Sequence, residues 1–436
     1  MSHAIKNQRT ILDKLNIEKL NSMQEEAQLA IHSGSEIILL SPTGTGKTLA
    51  FLLPIIAELD PESPEVQALI LVPSRELAIQ IEQVTRQMGS GYKTNAVYGG
   101  RSFSHDKIDL KHRPAILIGT PGRIADHMRR ATFSPNQIVT LVLDEFDKSL
   151  EVGFESEMRE IILALPNVNK KILTSASQQV DIPKFVGIND PIRIDYLDVW
   201  KTQLEIKKII SPSKDKLETL VKTLNHLGNQ PGIIFCNFKD SIQRVSNYLT
   251  ENHISHGCFH GGMEQRDRER ALIKFRNGTH QIIVATDLAA RGLDIPEIKF
   301  IIHYHLPLRS HEFLHRNGRT ARMNADGTAY VLQWEHEDLP DFIQNPEVQM
   351  IEAGVPPNAS IWTTIFVSGG RRDKISKGDI AGLFFKQGKL NKDELGTIEL
   401  KQDCAFVAVH VEKVTELVQA LDNIKLKKRK IRVAVI

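Results

Sequence analysis

Lys47 and Thr48 close the run Ser41-Pro42-Thr43-Gly44-Thr45-Gly46-Lys47-Thr48, which follows an apolar strand pattern and opens a helical one. Small residues here let backbone N–H groups close around phosphate oxygens. A lysine then reaches the β- and γ-phosphates, and a threonine hydroxyl can ligate Mg²⁺. Ser41 stands at the first glycine of the general pattern, which is therefore not met in full. About a hundred residues later Asp144, Glu145 and Asp147 end a second apolar strand. Strand-end carboxylates of an open α/β sheet face the ligand crevice. Asp144 is placed to hold Mg²⁺, directly or through water, and Glu145 to orient or deprotonate an attacking water. A third group, Arg316, Arg319 and Arg322, lies within residues 315–322. Guanidinium groups delivered from a facing domain stabilise the charge that spreads over a γ-phosphate during transfer. A chance turn, a solvated acidic strand end and a solvated basic helix face are the bland alternatives. The strand and helix context of the first two motifs weighs against them.

The elements that must position these residues are legible as alternation. Glu36–Leu40, Ala68–Val72, Ala115–Gly119, Val139–Leu143 and Lys171–Thr174 read as strands, with helical patterns at Arg75–Gln87 and Phe154–Leu165 among them. Strands alternating with helices predict a parallel sheet covered on both faces. The pattern restarts with Gly232–Phe235, Gly257–Phe259, Gln281–Ala285, Phe300–Ile302 and Thr328–Leu332. Seams near Asp195–Lys208 and Asn345–Ser360 divide the chain into domains 1–197, 209–345 and 361–436. The last reads β-α-β-β-α-β, the split βαβ arrangement. The fold class is thus α/β, two tandem parallel-sheet domains, plus a small C-terminal α+β domain.

Composition bounds the partners. The 436 residues are 41% hydrophobic and 25% charged, and no apolar run reaches the ~18 residues of a membrane span. The N-terminus lacks an apolar signal core, and Cys236, Cys258 and Cys404 are scattered without metal-type spacing. A reducing cytoplasm is expected, without zinc or disulfides. Net charge is +2, unevenly spread: residues 361–436 hold 15 Lys and Arg against 9 Asp and Glu. A basic domain on a near-neutral body suggests a polyanion partner, a solvated basic surface being the alternative.

Together these motifs resemble, in order, those of the DEAD-box RNA helicases of superfamily 2 over roughly residues 15–335. Gln24 resembles the adenine-reading glutamine of the Q motif, SPTGTGKT (41–48) motif I and PSRELA (73–78) motif Ia. Gly99-Gly100 and Thr120-Pro121-Gly122-Arg123 look like RNA-contacting motifs, DEFD (144–147) like the DEAD box, and Ser175-Ala176-Ser177 like Ser-Ala-Thr. IIFCN (233–237), Gln265 with Arg268, ATDLAARGLDIP (285–296) and HRNGRTAR (315–322) are similar to the remaining motifs. The resemblance implies two RecA-like domains. It assigns ATP and Mg²⁺ to Gln24, Lys47, Thr48, Asp144, Glu145, Asp294, Arg319 and Arg322, with Arg322 the arginine finger. Ser175 and Ser177 would link the acidic motif to RNA. Arg75, Gly100, Thr120, Arg123, Arg268 and Thr286 would hold RNA sugar and phosphate, contacts that position without reading sequence. The chain departs from the family at Phe146, where Ala is usual, and at His303 and His305, where Asn and Asp are usual. Asn21-Ser22-Met23 replaces the usual Thr-Pro before Gln24, and no aromatic stands upstream to stack on adenine. Both histidines are expected to be structural.

The C-terminal domain resembles an RRM. IFVSGG (365–370) is similar to RNP2 and DCAFVAV (403–409) to a degraded RNP1 in which Cys404 replaces an aromatic. Strand alternation puts Phe366 and Phe406 where they can stack nucleobases; the alternative is that the linker or another domain covers them. Arg371, Arg372 and Lys374 follow the first strand, and Lys425 to Lys430 precede the last. SGGRRDKISKGDIAGLF is similar to the RNA-binding domain of bacterial DbpA-type proteins, which implies a structured, ribosomal RNA partner and a role in ribosome assembly. The expectation is a monomeric, cytoplasmic, ATP-dependent RNA remodelling enzyme whose two RecA-like domains close over ATP and RNA. An ATP-gated RNA clamp and a DNA-directed translocase are the rival classes.

Overall fold

Alternate residues of each short strand enter opposite cores. Ile37, Leu39, Ile70 and Ile118 join one apolar cluster, while Ile38, Leu40, Leu71 and Leu117 join another. A sheet apolar on both faces must be covered on both, and each fully buried Ile or Leu contributes about 1.5–3 kcal/mol. The computed structural model describes residues 7–151, 153–176, 182–199, 204–287, 298–320, 327–354, 356–357 and 359–436. Its described residues form two compact units, one up to Val199 and one from Leu204 onward.

The first unit's sheet comprises β1 (Glu36–Leu40), β2 (Ala68–Leu71), β3 (Thr94–Val97), β4 (Ile116–Gly119), β5 (Thr140–Leu143), β6 (Lys170–Ser175) and β7 (Ile192–Asp195). The order is β3-β4-β2-β5-β6-β1-β7, and every pairing is parallel. The second unit repeats the plan with β8 (Leu204–Ser211), β9 (Gly232–Phe235), β10 (Gly257–Phe259), β11 (Ile282–Ala285), β12 (Phe300–His303), β13 (Gly327–Trp334) and β14 (Glu347–Val348). Their order is β10-β11-β9-β12-β13-β8-β14, again with parallel pairing.

The same unit carries a four-stranded antiparallel sheet. Its strands are β15 (Trp362–Val367), β16 (Leu395–Leu400), β17 (Ala405–His410) and, after a short hairpin β18 (Lys425–Leu426) and β19 (Arg429–Lys430), β20 (Val433–Val435). The order is β16-β17-β15-β20. One face of it packs on helices Lys377–Lys386 and Val414–Leu421 through Ile365, Val407, Phe384 and Leu417.

Two sequence boundaries need correction. β8 begins at Leu204, inside the stretch read as a seam, so the second sheet starts before residue 209. β14 likewise lies in the second seam, paired to β8. β8 is charged and only partly buried and β14 is exposed, and they become strands because a neighbour offers a ladder: β8 pairs with β13 over eight residues. Among the described residues no helix is long and apolar enough to cross a membrane.

Candidate active site

The phosphate loop turns on two glycines in the left-handed region, Gly44 (φ +86°) and Gly46 (φ +88°). Gly46 caps helix Lys47–Glu58, whose N-terminus then faces the loop. Ser41 is fully buried with its Oγ 2.6 Å from Thr45 Oγ1, and its N–H donates to Ser175 O at 3.1 Å. Here a hydroxyl serves where the general pattern has glycine, because it closes the loop on itself. Lys47 donates to the carbonyls of Ser41 and, at 2.8 Å, Pro42. Burial lowers its ammonium to about 8, against the pull of Glu145 and Asp144. Thr43 and Thr48 are half-buried on the same loop and first turn.

Gln24 sits at the third position of helix Ser22–Ser33 in a reciprocal cap with Asn21. Its Nε2 donates to Gly46 O at 3.3 Å, and Asn21 Nδ2 donates to Thr45 O at 3.0 Å. Asn21, which departs from the family's pattern, thus ties this helix to the phosphate loop.

Asp144 and Glu145 follow β5 directly. Burial, then the neighbouring Glu145, raises Asp144 to about 6, opposed by a hydrogen bond from Thr174. The Glu145 N–H donates to that same Thr174 hydroxyl at 3.2 Å, and Glu145 adopts φ +48°. Lys148, wholly buried, places its Nζ 2.8 Å from Glu145 Oε2. Phe146 is 3% exposed and packs in the core with Leu143, Met158 and Leu173. Its added bulk is therefore absorbed by the fold, away from the acids. Sequence reasoning missed Thr174 and Lys148. Each adjoins a recognised motif, but its role depends on strand register and a helical turn.

Four expected RNA contacts also lie on this unit. Arg75 begins helix Arg75–Met88, capped by Ser74. It lies against Gly100, whose φ is +86° and where a Cβ would stand 3.1 Å from Arg75 Cζ. Thr120 precedes helix Pro121–Arg129. Arg123 approaches the fully buried carboxylate of Asp106 at 2.7 Å, and Arg101 and His127 share that carboxylate at 3.3 Å. Arg101 is thus a basic neighbour that the motif pattern did not name.

On the second unit Arg316, 1% exposed, forms a hub. It pairs with Asp287 at 2.5 Å and donates to Asn237 Oδ1 and His305 O, both at 2.8 Å. It therefore binds three separate motifs together. His303 meets Asn317 Oδ1 at 3.0 Å, and burial, then Arg316, lowers its imidazole to about 3. His305 is lowered to about 4 by burial and the nearby Lys216 and Arg316. Arg319 is buried just beyond helix Ser310–Asn317. Arg268 lies over the Phe259 ring at 4.9 Å, and the Thr286 N–H faces Phe259 O at 3.4 Å, so one aromatic borders both. Ser177, Asp294 and Arg322 lie outside the described residues.

In the C-terminal sheet Phe366 and Phe406 are partners in register, with ring centroids 5.8 Å apart. They are not exposed as a stacking platform: Phe406 is 7% accessible and Phe366 is half-buried. By contrast Arg371, Arg372 and Lys374 are exposed. The β18–β19 hairpin joins them, through Arg429 with Asp373 at 2.6 Å and Lys427 with Lys374 O at 2.5 Å. Two basic segments distant in sequence form one edge.

Known families match these regions in the same order. The DEAD/DEAH box helicase family matches residues 21–185, the helicase conserved C-terminal domain 215–324, and the DbpA RNA binding domain 364–435. The ATP-dependent RNA helicase DbpA of Escherichia coli (strain K12) is 32% identical over 98% of this chain and 96% of its own length. That of Bacillus subtilis (strain 168) is 30% identical over 97% and 96%. Among solved structures, S. cerevisiae Dbp5 bound to RNA and ADP BeF3 superposes with a TM-score of 0.67 at 25% identity, covering 76% of this chain and 88% of its own.

Proposed function

The chain belongs to the DEAD-box ATP-dependent RNA helicases of the DbpA type, and from that membership we propose that it remodels structured RNA, such as large-subunit ribosomal RNA during ribosome assembly, as a cytoplasmic monomer. RNA-dependent hydrolysis of ATP to ADP and phosphate is the activity of the family. The observation that carries the reading is the convergence of Lys47, Asp144 and Glu145 in one buried, mutually interacting cluster at a helix N-terminus.

In this proposal Ser41, Thr43, Gly44, Thr45 and Gly46 wrap the phosphates, Lys47 neutralises them and Gln24 reads adenine. The hydroxyl of Thr48 and the carboxylate of Asp144, hard oxygen donors beside a second carboxylate, fit Mg²⁺. When bound, the ion neutralises charge developing on phosphate oxygens. Glu145 orients and deprotonates the water. Arg319 and Arg322 stabilise the γ-phosphate charge, and Asp294 supports the nucleotide. Arg75, Gly100, Thr120, Arg123, Arg268 and Thr286 hold the RNA backbone, while Ser175 and Ser177 couple it to the acids. Arg371, Arg372 and Lys374 hold RNA at the C-terminal edge. The core then acts on whatever duplex lies near that tether, at raised effective concentration.

Lys47→Ala and Glu145→Gln in the full chain are expected to lower RNA-stimulated kcat by at least ~10²-fold, while RNA still binds. Removing one partner of a buried ion pair costs about 3–5 kcal/mol. Glu145→Gln is therefore paired with Glu145→Gln/Lys148→Met, which removes the carboxylate and the stranded ammonium together. RNA-stimulated hydrolysis surviving in the folded double variant would refute the role of Glu145. Strong stimulation by single-stranded DNA would overturn the assignment to RNA. ATP-timed release of a tailed duplex without strand separation would favour a clamp.

A further inference from the structure

We infer that Asp106, which belongs to none of the motifs above, is a positioning residue that aims Arg123 at the RNA backbone and locks the Gly99-Gly100 turn to the same grip. Its carboxylate lies on helix Phe103–Asp109, which follows that turn, and is wholly buried. Arg123, on helix Pro121–Arg129, donates from Nε to Asp106 Oδ2 at 2.8 Å and from Nη2 to Arg101 O at 2.9 Å. One edge of the guanidinium is thereby fixed both to Asp106 and to the end of the glycine turn. The remaining nitrogen, Nη1, makes no hydrogen bond among the described residues and stands 3.7 Å from Asp126 Oδ2. A planar fork held by two of its nitrogens keeps the third in a set direction. The Arg123 side chain is 12% exposed, so that direction is open to a ligand.

Charge indicates that the carboxylate is kept for geometry. A phosphate grip gains from each cation and loses from an anion beside it. Asp106 nevertheless sits among the cations: Arg101 Nη1 is 3.3 Å from Oδ1, and His127 Nε2 is 3.3 Å from Oδ2. The imidazole is itself fully buried, and its other nitrogen lies 2.9 Å from Thr132 Oγ1. Phe103 closes the cluster. Its ring stacks on His127 at 4.5 Å, with Arg130 Cζ 4.4 Å and Arg123 Cζ 5.1 Å from its centroid. The turn, helix Phe103–Asp109 and helix Pro121–Arg129 thus converge on one carboxylate. The rotamer of Arg123 is settled before RNA arrives, so less freedom is lost on binding.

This inference rests on the proposed contact of Arg123 with RNA, and the experiment separates the two. Asp106→Leu, Arg123→Met and the double variant are compared in the full chain. Affinity is read from the anisotropy of labelled oligouridylate with a non-hydrolysable ATP analogue, over a range of KCl. The ATPase at a saturating rRNA fragment gives kcat. Asp106→Leu removes a negative charge and on charge alone would tighten RNA binding. The expected result is the reverse. Kd should rise about tenfold, kcat should fall no more than about twofold, and the slope of log affinity against log salt should shrink by about one, for one lost phosphate contact. Arg123→Met should give the same changes, and the double variant should lie within about twofold of it, because the two residues act as a unit. Replacing both partners of a buried ion pair by apolar residues is tolerated where removing one is not, so the double variant guards against a folding defect. Unchanged or tighter RNA binding by folded Asp106→Leu would overturn the proposal. If Asp106→Leu does not fold, the double variant decides, since a loss well beyond that of Arg123→Met overturns it too. Unchanged affinity in Arg123→Met would instead refute the RNA contact itself, and the positioning role with it.

Discussion

Phe146 shows how a single position can keep its chemistry while changing its packing. Its ring is buried among Leu143, Met158 and Leu173, so Phe146→Ala restores the family's usual residue but leaves a void. Large-to-small changes of this kind cost about 3–5 kcal/mol. Urea unfolding of the first unit should show that loss while RNA-stimulated hydrolysis by the folded fraction persists. Arg316 is the opposite case, a charge whose neighbours depend on it. Arg316→Met strands Asp287 in a largely buried setting, and the second unit should lose roughly 3–5 kcal/mol, read as an earlier unfolding transition. At this scale Lys47, Asp144 and Glu145 were legible because their chemistry requires fixed types at fixed spacing. Thr174 was not, because its hydroxyl matters only once β6 lies beside β5. Nor was the split among three arginines, since spacing alone cannot tell the hub Arg316 from the arginines proposed for phosphate.

Single elements were legible where their alternation is apolar. The central strands could be read because both faces are buried, whereas β8 and β14 lie toward a sheet edge with charged residues and owe their form to pairing. Strand β12 has a measurable consequence for pH. His303 at its end is held neutral, its pKa lowered to about 3 by burial and Arg316. The unfolded chain binds that proton near pH 6.5 and the folded chain does not, so stability is retained above 6.5 and falls as pH drops toward 3. Between pH 7.5 and pH 5 this one group should remove about 2 kcal/mol. His303→Asn removes the titration, and urea unfolding at the two pH values should show a correspondingly smaller loss. An unchanged pH dependence would mean that His303 is protonated in the native state.

Across the whole molecule, the three expected sheets are present among the described residues, two parallel and one antiparallel, together with the short β18–β19 ladder. What the sequence could not convey is which surface of the small sheet meets its neighbour. Alternation placed two phenylalanines on a common face but left open what covers it, because tertiary docking has no local period. The basic edge was likewise visible only as two separate segments. Pinning β18–β19 against residues 371–374 brings Lys427 and Arg429 to Lys374 and Asp373, adding cations to a segment that already holds Arg371, Arg372 and Lys374, and like charges so gathered repel in the folded state more than in the extended chain. Added salt should therefore protect this domain against heat while it loosens the grip on RNA, two responses of opposite sign from one cluster. Bound RNA supplies the same relief as counterions, and a ligand that binds only the native form stabilises it by mass action. A matching RNA should thus act as a thermal protectant, and amide exchange in β15 and β17 should slow most at low ionic strength, where the crowded cations are least screened.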